Sequence, residues 1–262
     1  MTLRSFLVGD SHGAPRRVAA FWVAVLAALL ALVCTAILSG AAGMTRGGWG
    51  AVWAYRDVFW KGWLLTILIS FLALLLSTLL GFLLALARRS RVLPLRAAAL
   101  LYVELLRGTP LLVQILFLFY VVANALGLQD RLAAGVLILS IFSSAYLAEL
   151  IRSGIEAVPA SQLESARAIG LTPAQTYRFV IAPQALRNIL PPLAGQFASL
   201  IKDSSLLSVI GIGEFTLAAQ QVNSATYRTL ESYLPLALGY LVLTLPVSVI
   251  ARRLEQRLRY ET

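Results

Sequence analysis

Late in this 262-residue chain four polar side chains stand in a row, Lys202-Asp203-Ser204-Ser205, in a largely apolar stretch that also holds Gln196 and is interrupted by Pro191-Pro192. One cation, one anion and two hydroxyls are groups that could hold a small zwitterion with an ammonium and a carboxylate. They could equally anchor a helix end, with Lys202 snorkelling outward and Asp203 and Ser204 capping a short helix over 205–212. Neighbours on a helix point about 100° apart, so Lys202 and Asp203 need not pair with each other. The two prolines free helix carbonyls, which in lipid must face protein or a cavity, and Gln196, one turn on, could point into that cavity. Glu149 and Arg152, three apart, can pair on one helix face. Covalent chemistry has no such candidates. One His (His12) and one Cys (Cys34) leave no zinc cluster and no disulfide framework, and no nucleophile–base constellation stands out. No GxxxxGK[ST] phosphate loop occurs, and Gly211-Ile212-Gly213 lacks the strand–helix context of a nucleotide loop, so it reads as a gate or turn. The expectation is no catalysis, no cofactor and no metal.

The elements that must position these residues are membrane spans. The chain is 59% apolar and 13% charged with a mean hydropathy of +0.81, more apolar surface than a soluble core of this length can bury. A spanning helix needs roughly 20 apolar residues. Val18–Leu38, Gly62–Ala87, Pro110–Gln129 and Ser232–Ala251 are charge-free, Leu132–Leu150 carries only Glu149, and a weaker sixth span covers about 188–207. The fold class expected is all-α, a polytopic helical membrane protein with about six spans. Val18–Leu38 exceeds the 7–15 residues of a signal-peptide core, so it reads as an uncleaved first span although Arg16-Arg17 precedes it.

Orientation follows from Lys and Arg, which collect on short cytosolic segments. With the N-terminus inside, sixteen of the 22 basic residues fall on inner segments: Arg4, Arg16 and Arg17; Arg88, Arg89, Arg91, Arg96 and Arg107; Arg152, Arg167, Arg178 and Arg187; Arg252, Arg253, Arg257 and Arg259. Five fall outside, namely Arg46, Arg56, Lys61, Arg131 and Arg228. Both termini are therefore expected in the cytosol. The net charge of +10 is a topology signal with contact to membrane lipid, and nucleic acid is not an expected partner.

Glu164 to Pro183, ESARAIGLTPAQTYRFVIAP, is a polar interruption on the cytosolic side. Ser161 with Glu164 fits a capping box, and Gly170 is a natural left-handed helix terminator. Thr172-Pro173-Ala174-Gln175 repeats the box with proline at the first helical position, and Pro183 should end the second helix near Ala182. Two short capped helices joined by a sharp turn at Gly170 could transmit force between spans, with Ser165, Ala166 and Ala168 allowing another protein close. An amphipathic loop lying on headgroups, with Arg167 and Arg178 on phosphates, is the other reading of the spacing.

The pattern Glu164-Ser165-Ala166, three residues, Gly170, nine residues, Val180-Ile181-Ala182-Pro183 resembles the EAA loop of ABC-importer permease subunits, with Ser165 and Ala182 departing from the usual Ala and Leu. Arg107-Gly108-Thr109-Pro110-Leu111-Leu112-Val113-Gln114, Ala148-Glu149 through Gly154-Ile155, Pro183-Gln184-Ala185-Leu186-Arg187, Leu190-Pro191-Pro192 and Lys202-Asp203-Ser204-Ser205-Leu206 are similar to blocks of the polar amino-acid permeases (histidine, glutamate, glutamine, arginine and opine types), in the same order.

That resemblance implies a five-helix type I importer core over 62–259, with a coupling loop at about 153–187. A cytosolic segment over 1–17 and an extra helix with its external loop over 18–61 precede it. It implies a subunit of the bacterial inner membrane that moves a polar amino acid by alternating access. Its expected partners are two cytosolic ABC ATPase subunits, a second permease subunit, identical or homologous, and an external or periplasmic substrate-binding protein. Ser161, Glu164, Ser165, Ala166, Gly170 and Pro183 would form the coupling loop, and Gln196, Lys202, Asp203, Ser204 and Ser205 a pathway or gate. An ion-coupled secondary carrier or a passive channel is the alternative, although carriers often carry internal repeats and none is visible.

Overall fold

The computed structural model describes residues 48–258, whose regular structure is all helical. The chain divides into two units, Met1–Ala51 and Val52–Thr262. The expected span Val18–Leu38, His12, Cys34 and the basic residues Arg4, Arg16, Arg17, Arg46 and Arg259 lie outside the described residues. A short helix, α1 (Gly48–Trp53), is followed by α2 (Arg56–Arg88), which contains the charge-free run from Gly62 to Ala87. Along α2 the buried positions include Gly62, Thr66, Ser70, Ala73, Ser77, Gly81 and Ala85, a stripe of small residues about four apart that lets another helix approach closely. The partner is α5 (Arg131–Glu156). A Cβ on Gly81 would sit 2.7 Å from Leu147 Cβ and 3.1 Å from Ser144 O, so only glycine permits this crossing.

The expected span Pro110–Gln129 begins where predicted, with Pro110 as the N-cap, but its helix stops at residue 125. It is closed by Gly127 (φ +69°), whose N–H bonds Asn124 O while the Leu128 N–H bonds Ala123 O. Residues 93–123 form α3 (Leu93–Gly108) and α4 (Leu111–Phe117, continued by a π-helical segment Leu118–Ala123), bent by 112° relative to each other. Proline explains the break: Pro110 cannot donate to a helix and forces Thr109 out of helical geometry, and both residues are extended (φ −124° and −64°, ψ 148° and 137°). The helix over 111–125 rises only about 22 Å, short of the ~30 Å hydrocarbon layer, and is long enough to span only when counted together with α3. Gln114 caps the broken end, its Nε2 donating to Leu106 O, Thr109 O and Thr109 Oγ1 at 2.7, 3.0 and 2.8 Å.

Beyond α5 come α6 (Ala160–Ala168) and α7 (Pro173–Thr176, continued as π-helix Tyr177–Ile181). Then follow α8 (Ala182–Asp203, continued as 3-10 helix Ser204–Ile210), α9 (Phe215–Thr226) and α10 (Thr229–Leu258). Helices α2, α5 and α10 are each long and apolar enough to cross a membrane, and the two bent helix pairs bring the number of crossings to five if each counts once. The core is a cluster of buried Ile69, Ala73, Ile115, Leu139, Leu200 and Leu207, drawn from α2, α4, α5 and α8. Hydroxyls stitch the helices together. Tyr102 OH of α3 donates to Ile141 O of α5 at 2.9 Å and lies 2.9 Å from Ser144 Oγ, and buried Ser140 Oγ of α5 reaches Ala73 O of α2 at 3.5 Å.

Candidate functional site

The polar interruption forms two helices at a sharp turn, as its spacing predicts, but with different ends. The capping box on Ser161 and Glu164 is absent. The N-cap lies two residues earlier, at Pro159 (φ −59°, ψ 140°), so helix α6 starts at Ala160 with no side-chain cap; the proline sets the entry geometry, which puts Ser161 inside the first turn. The second box is present: Thr172 Oγ1 accepts from Gln175 N, and Thr172 N donates to Gln175 Oε1 at 2.9 Å. Gly170 has φ +81°. Its N–H bonds Arg167 O and the Leu171 N–H bonds Ala166 O, both at 3.0 Å, the 5→2 and 6→1 pair of a Schellman motif.

Pro183 does not end the second helix. α7, its π-helical continuation and α8 run on from Pro173 to Asp203, and the wide π-turn Tyr177–Ile181 ends two residues before Pro183. Widening the turn moves the preceding carbonyls away from the proline ring, the clash that otherwise breaks a helix. The loop is therefore the foot of a continuous rod that also absorbs Pro191-Pro192. On the loop Ser161, Glu164, Ser165 and Gly170 are exposed while Ala166 is buried. Ile169, beside the turn, is 77% exposed and Phe179, on the π-helical segment, 62% exposed.

Upstream, Glu149 holds more than the expected partner. Arg152 pairs with it on α5, and Arg88 from the end of α2 donates to it at 2.7 Å. Arg107 from the end of α3 lies 3.8 Å from the same carboxylate, with its guanidinium 5.6 Å from the centre of the Tyr146 ring. Arg152 also pairs with Glu156. This cluster ties α2 and α3 to the segment that leads into α6. Arg88 and Arg107 were not readable as partners, because 61 and 42 residues separate them from Glu149.

The second group of expected site residues is dispersed. Gln196 points to Ser143 on α5 (Nε2 to Oγ, 3.3 Å). A cavity of about 630 Å³ beside Pro191 and Pro192 is instead lined by Arg187, Asn188, Gly195, Ala251, Arg252 and Glu255 of α8 and α10 with Ala157. Arg187 and Asn188 precede Pro191 and Pro192 by four residues, so their carbonyls lack helix donors, and both residues line that cavity. Lys202 is exposed and Asp203 half-buried. The Asp203 side chain does not cap the 3-10 helix Ser204–Ile210; Ser204 and Ser205 return their hydroxyls to Ile201 O and Lys202 O at 2.8 and 2.6 Å. Gly211 (φ +77°) ends the 3-10 turn, so the glycine pair acts as a turn.

Just beyond that turn lies a buried carboxylate that nothing in the sequence pattern marks. Glu214 is fully buried at the N-terminus of α9, accepting from Leu217 N at 2.9 Å, Thr216 N at 2.8 Å and Tyr240 OH of α10 at 2.9 Å. Phe215 N donates to Thr66 Oγ1 of α2 at 3.1 Å. α9 is thereby fixed to α2 and α10. Glutamate ranks below Ser, Thr, Asp and Asn as a helix cap, so no local signal singles it out.

A family model described as "Binding-protein-dependent transport system inner membrane component" matches residues 77–260. The glutamine transport system permease protein GlnP of Escherichia coli (strain K12) is 36% identical over 213 residues, 80% of this chain and 97% of that protein. The probable glutamine ABC transporter permease protein GlnM of Bacillus subtilis (strain 168) is 40% identical over 205 residues, 78% and 93% of the two chains. Among solved structures, one described as an amino acid ABC transporter with histidines superposes with a TM-score of 0.74 at 41% identity, covering 78% of this chain and 95% of that one.

Proposed function

Because this chain belongs to the family of binding-protein-dependent transport system inner membrane components, the membrane permeases of ATP-driven importers whose ATP hydrolysis resides in separate subunits, we propose that its cargo is a polar amino acid, with L-glutamine the first candidate. The glutamine transport for which GlnP and GlnM are named supports the cargo. The loop itself carries the mechanism: a Schellman turn at Gly170 presents Ile169 beside a foot that continues without interruption into α8. An ATPase that moves α6 would pull on two members at once, α5 through Val158–Pro159 and the rod of α7 and α8 through Thr172-Pro173. Motion of that rod reaches the cavity beside Pro191-Pro192 and, past Gly211, α9, which is locked to α10 by Glu214. Closing one end of the path while opening the other is then a tilt of stiff elements, the shear-and-hinge form of alternating access. In this reading both termini and the loop are cytosolic, two ATPases dock on two such loops, a second permease completes the pathway, and a binding protein delivers cargo from outside. Ser161, Glu164, Ser165, Ala166, Gly170 and Pro183 belong to the coupling loop, and Lys202 and Asp203 to the external part of the pathway.

The test is reconstitution of the permease with its co-expressed ATPase in proteoliposomes, reading ATP hydrolysis against binding protein and amino acid. Stimulation that requires both binding protein and glutamine is expected. Stimulation by another polar amino acid alone would replace the cargo, and amino-acid flux without ATP would refute the assignment in favour of a carrier or channel.

A further inference from the structure

At the elbow between α2 and α3 an apolar groove of about 580 Å³ is lined by Leu80, Leu83, Leu84, Leu86, Ala87 and Leu95, with Ser90 at its polar end. It follows about 12 Å of helix axis from Leu80 to the end of α2 at Arg88, and Leu83, Leu86 and Leu95 are each about half exposed. Arg89 and Arg91, on either side of Ser90, and Arg96, next to Leu95, are all exposed and take no part in the salt bridges that hold Arg88. No acidic residue occurs between Gly62 and Val103. An open apolar groove running down a membrane helix into a cluster of exposed arginines is complementary to an acyl chain below an anionic headgroup.

We propose that this elbow is a binding site for an anionic glycerophospholipid, with its phosphodiester at Arg89, Ser90 and Arg91 and one acyl chain along Leu80–Leu86. A second copy of the chain fits the groove poorly. A two-fold contact would set the same arginines against each other, and helices that associate in lipid meet through small residues, whereas these edges are leucines. The site adjoins a structural link. Arg88, the residue before Arg89, is clamped to Glu149 of α5, and α5 leads into the loop that carries Gly170, so lipid bound here steadies the end of α2 where it braces that segment.

The experiment places the purified permease–ATPase complex in phosphatidylcholine nanodiscs doped with phosphatidylglycerol, and then measures the ratio of the two lipids retained after detergent extraction. Enrichment of phosphatidylglycerol is expected for the unmodified complex. A basic residue near the membrane surface is worth about a fivefold change in binding, so Arg89→Gln with Arg91→Gln should cut the enrichment by roughly an order of magnitude or more. Leu83→Trp, which fills the groove and keeps the charges, should cut it too, and inorganic phosphate should not compete. Undiminished enrichment in the double variant overturns the proposal. So does undiminished enrichment in Leu83→Trp, which would mean diffuse attraction without a site. Efficient disulfide cross-linking between copies through Leu83→Cys, in a Cys34→Ser background, would assign the groove to a second permease and likewise overturn it.

Discussion

Replacing Gly170 separates backbone strain from surface shape, because the structure makes the two effects independent. The residue holds φ +81°, and a Cβ built there meets nothing within 4 Å, so a side chain costs only what its backbone costs. For an ordinary L-residue the left-handed region costs about 1–2 kcal/mol, a factor of about 5–30 in the population of the native turn. Alanine should therefore reduce substrate-stimulated ATP hydrolysis several-fold, and β-branched valine should reduce it further. Asparagine tolerates this region and should stay near the unmodified rate although it is larger than alanine. Insertion and assembly should be unaffected, since no core contact is touched. The assay is stimulated ATPase activity in proteoliposomes, normalised to the amount of ATPase recovered with the permease. An order in which alanine outperforms asparagine would refute the reasoning, for then bulk at the docking surface, and not the Schellman turn, sets the rate.

In a Cys34→Ser background, a cysteine at Gln129 should react with an impermeant thiol reagent added outside and one at Thr172 should not; the reverse pattern would invert the proposed orientation. Asp203→Asn and Lys202→Met should each lower transport per purified complex while assembly persists, and unchanged specific activity in both would remove the pair from the pathway. Glu214→Ala strips the acceptor from three partly buried donors and should cost about 2–3 kcal/mol, seen as a lower thermal midpoint of the purified permease. Tyr240→Phe loses one of those bonds and should cost less, and equal midpoints for Glu214→Ala and the unmodified chain would refute the anchoring of α9.

What was legible from the sequence alone is what local chemistry dictates. A continuous run of about twenty apolar residues in lipid reads as a helix, because a spanning strand is only about half that length and satisfies its hydrogen bonds only inside a closed barrel, so α2, α5 and α10 could be read directly. Gly170 and the box at Thr172 and Gln175 were readable for the same reason: a left-handed terminator and a reciprocal cap are set within a few residues. Local rules failed where a neighbouring turn supplied a substitute. Pro159 replaced the cap expected from Ser161, a π-turn carried the helix through Pro183, and a left-handed Gly127 closed the helix after Pro110 before it reached Gln129. The tertiary structure alone decided which charges meet. Beyond Arg152, which helix spacing already pairs with Glu149, Arg88 and Arg107 reach the same carboxylate because the ends of α2 and α3 lie against α5, and Glu214 finds Tyr240 because α9 lies against α10. Such pairs depend on where the helix axes cross and end, a property of side-chain packing across the whole bundle that is not written in any one window of residues.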